Sequence, residues 1–227
     1  MSSGGRELLK WLALVLMTGD HLVKVFGLGY VPVLSELGRV AFPVFALVMA
    51  YNLAQPAADT GRAAKRLAFW AVLATPAAYF AFGALLPLNV LATFAVAAVC
   101  IWAYGRRKWA LAAFLFFLAP VALDYQWAGV WLVLAGWGWF RNHGRMHFLL
   151  GAWDWRRHRL YLVLPVWVWA SMGLLCWYNG NAWALLSMPV LLLAEVDWPV
   201  PRSGRFFYVY YVGHLGLMAG IAGIVAA

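Results

Sequence analysis

Nine runs of apolar residues, separated by short polar connections, follow one another along the chain. Most approach the ~20 residues that a helix needs to cross ~30 Å of hydrocarbon, and the fifth is shorter. No run alternates apolar and polar positions as the strands of a membrane barrel do. The runs lie near residues 7–26, 33–54, 67–84, 88–104, 109–123, 126–140, 160–177, 182–197 and 205–226. The pattern predicts an all-α integral membrane protein, a single-domain bundle of about nine transmembrane helices over residues 1–227.

The composition strengthens this prediction. Hydrophobic residues make up 66% of the chain and charged residues 11%, against about 25% charged residues in soluble domains. The formal net charge is +9, which would suggest nucleic-acid binding in a soluble chain. In membrane proteins the same excess collects in cytoplasmic loops. We therefore expect the lipid bilayer as the surroundings and no nucleic-acid partner.

The basic residues also predict an orientation. If the N-terminus lies in the cytoplasm and nine spans alternate, every Lys and Arg except Lys24 and Arg39 falls on the cytoplasmic side. Such asymmetry is the usual signature of membrane topology. An odd number of spans then places the C-terminus on the opposite side.

Polar residues interrupt the apolar runs at related depths. Asp20 and His21 lie about 10 Å below the outer surface in the first span, and Arg39 lies at a similar depth in the second. Asn89 begins the fourth span, and His214 lies near the middle of the ninth. A charged residue within a span costs about 2.5–3.5 kcal/mol on insertion scales, and such residues often mark proton or substrate paths.

Two interpretations of these residues stay open. Asp20 and Arg39 could form an ion pair that only locks two helices together, with His21 bonded to a carbonyl. Alternatively, His21 faces a cavity as a general base, because imidazole exchanges protons near neutral pH. The presence of a second buried histidine favours a functional site.

No metal site is expected. His143 and His147 have the i, i+4 spacing of two metal ligands on a helix. The glutamate of an HExxH motif is missing, however, and the surrounding loop is basic and repels cations.

Four segments of the chain resemble the TraX family of conjugation-associated membrane proteins. They are LMTGDHL at 16–22, LGRVAFPVFALVMAYN at 37–52, LNVLATF at 88–94 and YYVGHLGLM at 210–218. Their order and approximate spacing match the family, and the chain length resembles its TrbP-type members. Leu22-Val23 replaces a common Ile-Gly, and Val212-Gly213 stands where a proline often precedes the last histidine.

The resemblance implies an acetyl-CoA-dependent transmembrane acyltransferase of the bacterial inner membrane, with a periplasmic C-terminus. The acetyl group would pass from cytoplasmic acetyl-CoA to an acceptor at or beyond the membrane, a conjugative pilin or another membrane-associated acceptor. His21 would act as general base, and Arg39, Asn89 or His214 would stabilise the oxyanion. An acetyl-histidine intermediate is a second route. The family segments place these functional positions at Asp20, His21, Arg39, Asn89 and His214.

The phosphates of acetyl-CoA require cationic partners on the cytoplasmic side. Candidate contacts are Arg62, Arg66, Arg106, Arg107 and Arg157, although the positive-inside rule alone also explains these charges. Two other functions stay open, a proton-coupled transporter and a non-catalytic membrane subunit of pilus or secretion assembly. The sequence shows no internal repeat of the kind common in transporters.

Overall fold

The computed structural model describes residues 1–149 and 166–226, with side chains for residues 1–142 and 166–225. Within these segments all regular secondary structure is helical, apart from a single parallel bridge between Leu88 and Leu123. The α-helices are α1 (Ser3–Val25), α2 (Leu34–Ala54), α3 (Thr60–Phe82), α4 (Val90–Gly105), α5 (Trp109–Phe117), α6 (Gln126–Leu149), α7 (Val166–Asn179), α8 (Ser187–Val190) and α9 (Phe206–Ala226). The prediction of an all-α protein is confirmed for the described residues.

Capping residues in the sequence determine where several helices begin and end. The Ser2 hydroxyl accepts a hydrogen bond from Gly5 N at 2.8 Å, and the Asp59 carboxylate accepts one from Arg62 N at 2.9 Å. These bonds satisfy amides that have no partner inside the first turn of a helix. Gly83, at φ 73°, ends α3 in the left-handed conformation that glycine adopts without a steric penalty.

Helix α2 lies at the centre of the bundle, where α1 and α6 pack against it. Val40, Val44 and Val48 are almost completely buried along one side. Pro43 lacks an amide hydrogen, so the carbonyl of Arg39 loses the helical hydrogen bond it would otherwise accept. The turn that carries Arg39 is therefore less constrained than the rest of α2.

The fifth and eighth apolar runs depart from regular transmembrane helices. As expected, the fifth is short: α5 has nine residues and is followed by a 3₁₀ turn at Ala119–Ala122. The eighth run was predicted to be a span, and this prediction is wrong. It forms a 3₁₀ turn, the four-residue α8 and a second 3₁₀ turn at Leu191–Glu195, with Pro189 removing one amide donor. This segment packs against α1 and α2.

Much of the lateral surface is apolar. Val72, Phe80, Trp177 and Ile224 are each more than 70% exposed. Soluble monomers rarely expose large contiguous apolar patches. By length and composition, the described residues contain two helices that could cross a membrane on their own, Leu34–Ala54 and Phe206–Val225.

Candidate functional site

A cavity of about 310 Å³, here called the outer cavity, lies where α1, α2, α3 and α4 converge. Its size falls within the range of small-molecule sites. The polar side chains that line it are Asp20, His21, Lys24, Arg39, Thr75, Asn89, Asp124, Tyr125, Tyr178 and Tyr211. The structure thus brings together four of the five residues that the sequence singled out, and the fifth, His214, lies behind His21.

The histidines of α1 and α9, His21 and His214, form a hydrogen-bonded pair. His21 Nδ1 lies 2.8 Å from His214 Nε2, and His214 Nδ1 lies 2.8 Å from the carbonyl oxygen of Tyr210. A carbonyl can only accept, so His214 Nδ1 carries a hydrogen and its Nε2 is the acceptor. His21 Nδ1 therefore donates, which leaves the lone pair of a neutral His21 on Nε2.

His214 is held from its other side by aromatic packing. The Tyr210 ring stacks on the His214 ring at 4.9 Å between centroids, and the Tyr210 hydroxyl lies 2.9 Å from Thr18 Oγ1. His214 does not contribute to the lining of the outer cavity. The contacts of His214 suit a residue that orients the His21 ring and fixes the tautomer of His21.

Asp20 pairs with Lys24, which was not among the site residues predicted from the sequence. Its Oδ2 lies 2.5 Å from Lys24 Nζ, one helical turn away, and the described residues show no ion pair between Asp20 and Arg39. The proposed Asp20–Arg39 lock is therefore corrected. The Asp20 side chain also packs directly on Gly38, where a Cβ would lie only 2.4 Å from Asp20 Cβ. This close approach sets the distance between α1 and α2 at the cavity.

Arg39 has hydrogen-bonding capacity left over. Its Nε is buried and has no hydrogen-bond partner among the described residues. Buried polar groups are nearly always satisfied, so an unsatisfied donor in the wall of a cavity indicates a missing partner. A ligand oxygen could fill this place.

Asn89 lines the outer cavity, but its amide is already engaged. Its Nδ2 donates to the Ala71 carbonyl at 3.0 Å and to Thr75 Oγ1 at 3.1 Å, and its Oδ1 accepts from Leu91 N. Asn89 therefore caps α4 and ties it to α3. This geometry favours a positioning role over donation to a substrate.

Asp124 is the principal cavity residue that sequence reasoning missed. It lies in the short connection before α6, where burial raises the pKa of its carboxyl to about 6 despite the opposing charges of Lys24 and Arg39. Its Oδ1 accepts from Tyr125 N at 2.9 Å. Asp124 fell between two apolar runs and looked like an ordinary loop residue, although it is one of only eight acidic residues in the chain.

A second cavity of about 390 Å³, here called the inner cavity, adjoins the first. Its walls are mainly apolar, and cationic side chains from Lys10, Arg66 and Arg205 line it. The residues that line both cavities are Met17, Phe45, Val90, Phe94 and Tyr211. These five side chains therefore lie between the two cavities.

The candidate phosphate contacts separate into two groups. Arg66 lines the inner cavity, with its guanidinium carbon 5.8 Å from the centroid of the Tyr208 ring. Arg62 is exposed and pairs with Asp59, and the exposed Arg106 and Arg107 line neither cavity. Lys10 and Arg205 lie on the inner cavity and were not anticipated.

Two sequence interpretations fall on parts of the chain that are not described. Arg157 lies outside the described residues, and the side chains of His143 and His147 lie outside the described side chains. Among the described residues, no group of three or more His, Cys, Asp and Glu side chains is arranged to hold a metal ion.

The chain is similar to known proteins along nearly its whole length. The model of a family described as TraX protein matches residues 5–222. Protein TraX of Escherichia coli is 32% identical over 228 residues, which cover 97% of this chain and 88% of the relative. Protein TraX of Escherichia coli strain K12 is 32% identical over 235 residues with the same coverage. No solved structure matches the chain. The matched region includes every element that lines the two cavities.

Proposed function

The chain belongs to the TraX family, and we propose that it is a membrane-embedded acyltransferase that serves conjugation. It takes an acetyl group from acetyl-CoA at the cytoplasmic face and transfers it to an acceptor at the outer cavity, a conjugative pilin or another membrane-associated protein. The observation that carries this proposal is the pair of adjoining cavities, one lined in part by Lys10, Arg66 and Arg205 and the other lined by His21 of the histidine pair. Donor and acceptor can then meet inside the protein from opposite sides.

The proposed location is the bacterial inner membrane, which the chain crosses several times. The exposed apolar side chains on α3, α7 and α9 support contact with lipid. The basic residues support an N-terminus in the cytoplasm and a C-terminus in the periplasm. In this orientation the inner cavity opens towards cytoplasmic acetyl-CoA, and the outer cavity lies nearer the periplasm.

The chemistry follows from the atoms that line the outer cavity. The lone pair on His21 Nε2 takes a proton from the attacking group of the acceptor while that group adds to the thioester carbonyl. The unpaired Arg39 Nε donates to the oxygen that becomes negative in the tetrahedral intermediate. When the carbon–sulfur bond breaks, His21 returns the proton to the departing sulfur. An acetyl-histidine intermediate on His21 Nε2 is the alternative route.

Acetyl-CoA labelled in its acetyl group tests the proposal directly. The purified protein should release CoA from it, and the associated pilin should gain the mass of one acetyl group only when the protein is present. Proton flux into liposomes that does not depend on acetyl-CoA would favour a transporter instead. Normal pilus assembly by the His21→Ala, His214→Ala double variant, together with no CoA release by the native protein, would favour a non-catalytic subunit.

We expect the loss of Arg66 or Arg205 to weaken acetyl-CoA binding. Hydrogen bonds to charged groups contribute about 1.5–3 kcal/mol, so Arg66→Gln and Arg205→Gln should each raise KM for acetyl-CoA about tenfold or more, with kcat little changed. Arg62→Gln and Arg107→Gln remove the same charge from exposed positions outside both cavities and serve as matched controls. Equal KM values for all four variants would show that the inner cavity is not the phosphate site.

A further inference from the structure

Two acidic and two basic side chains line the outer cavity, but among the described residues only one acid and one base form an ion pair with each other. Asp20 and Lys24 neutralise each other at 2.5 Å. Asp124 and Arg39 also line the cavity, yet the described residues show no ion pair or hydrogen bond between them. The cavity therefore carries one negative and one positive group that each retain hydrogen-bonding capacity.

The Asp124 carboxylate is firmly positioned. Its main-chain N donates to the Leu88 carbonyl at 2.9 Å, and its own carbonyl accepts from Thr93 Oγ1 at 2.7 Å. Tyr125 N occupies Oδ1, and in the described part of the chain no residue hydrogen-bonds to Oδ2. One carboxylate oxygen is thus held in the cavity wall without a protein partner.

The backbone beside Asp124 is strained. Tyr125 adopts φ 59°, a backbone angle that residues other than glycine rarely adopt. Its ring stacks on Phe42 at 4.0 Å between centroids, and this packing holds the conformation in place. Strain that the surrounding structure maintains tends to cluster at functional sites.

A carboxylate oxygen and a guanidinium nitrogen that both line the cavity without a partner suit a reaction intermediate with one positive and one negative atom. An amine that adds to a thioester gives a tetrahedral species with a positive nitrogen and a negative oxygen. A hydroxyl that adds with general-base help gives only the negative oxygen. We propose that Asp124 binds the attacking nitrogen of the acceptor and so makes this site select an amine over a hydroxyl, an inference that rests on the proposed acyltransferase function.

Each of the three hydrogens on the acceptor nitrogen has a defined destination. The acceptor arrives as an ammonium ion and gives one proton to Asp124, which passes it to water and is ionised again before the amine adds. The neutral amine adds to the thioester carbon, and His21 Nε2 takes a second proton from the nitrogen. The carbon–sulfur bond then breaks with its electron pair on sulfur, and His21 protonates this sulfur to give CoA. The third hydrogen stays on the amide nitrogen of the product.

Competing acceptors test this proposal in the full-length protein. Acetyl-CoA labelled in the acetyl group is supplied with benzylamine or benzyl alcohol, and hydrolysis without any acceptor is measured in parallel. We expect the native protein to acetylate benzylamine in preference to benzyl alcohol. Asp124→Asn keeps the oxygen that Tyr125 N requires but removes the negative charge. It should lower the amine-to-alcohol ratio at least tenfold.

Asp197→Asn is the matched control, because it removes one exposed carboxylate outside both cavities. It should change neither rate. An unchanged amine preference in Asp124→Asn, or a native protein that hydrolyses acetyl-CoA but does not acetylate benzylamine, would overturn the assignment of Asp124 alone. A native protein that cleaves no acetyl-CoA would overturn the proposed function and this inference with it.

Discussion

The His21→Ala variant should fold normally and lose about 10²–10⁴-fold in the rate of acetyl transfer, the usual contribution of a general base. The substitution removes the lone pair on His21 Nε2. This lone pair is free to accept a proton because His21 Nδ1 donates to His214. His21 is only partly buried, so the loss in packing is small compared with the loss in rate. Release of CoA from labelled acetyl-CoA, normalised to monodisperse purified protein, measures the effect.

Two further variants separate chemistry from folding. Leu22→Ala changes the neighbouring residue, which is 40% exposed, and should retain native activity. His214→Gln can still accept a hydrogen bond from His21 Nδ1 and should lose less activity than His214→Ala. Full activity in His21→Ala would remove the general base from the mechanism, and equal losses in both His214 variants would contradict a positioning role.

The Gly38→Ala variant should be destabilised by about 1–3 kcal/mol, the typical cost of overpacking. The added methyl group would lie 2.4 Å from Asp20 Cβ and 2.9 Å from Asp20 Cγ. A Cβ atom cannot swing away as the end of a long side chain can, so α1 has to move away from α2. Because His21 follows Asp20, this shift displaces the proposed base, and misplacement by ~1 Å can cost ~10²-fold in rate.

Gly138→Ala is the matched control for this prediction. Gly138 is also a helical glycine, and an added Cβ would meet no atom within 4 Å. It should be neutral or slightly stabilising, because alanine has the higher helix propensity. Thermal unfolding in detergent together with CoA release checks both variants. A Gly38→Ala protein with native stability and activity would show that α1 and α2 are not in fixed contact at the cavity.

The sequence was most informative about the elements and the family. Apolar runs located most helices, although the capped starts of α1 after Ser2 and of α3 after Asp59 were missed, and the resemblance to the TraX family is confirmed. The prediction for the eighth run failed because hydropathy does not report the hydrogen-bond pattern of the backbone. The 3₁₀ turns around Pro189 are as apolar as a regular α-helix would be. The orientation in the membrane and the catalytic roles stay predictions.

Partners within the site were harder to predict because they depend on helix rotation. His21 and His214 are 193 positions apart, and nothing in either segment indicates that their rings meet. The Asp20–Lys24 pair, by contrast, has the i, i+4 spacing of neighbours on a helix and could have been recognised. Asp124 could not, because its position depends on the unusual backbone of Tyr125.

The histidine pair ends on the main-chain carbonyl of Tyr210 and not on a carboxylate. A carbonyl can orient an imidazole, but it cannot accept and pass on a proton. The pair therefore has no proton acceptor on the side away from the cavity. Each proton that His21 takes up must leave through the cavity again. For the proposed acyltransferase, this geometry predicts a reaction that is electroneutral with respect to the bilayer and does not draw on the proton-motive force.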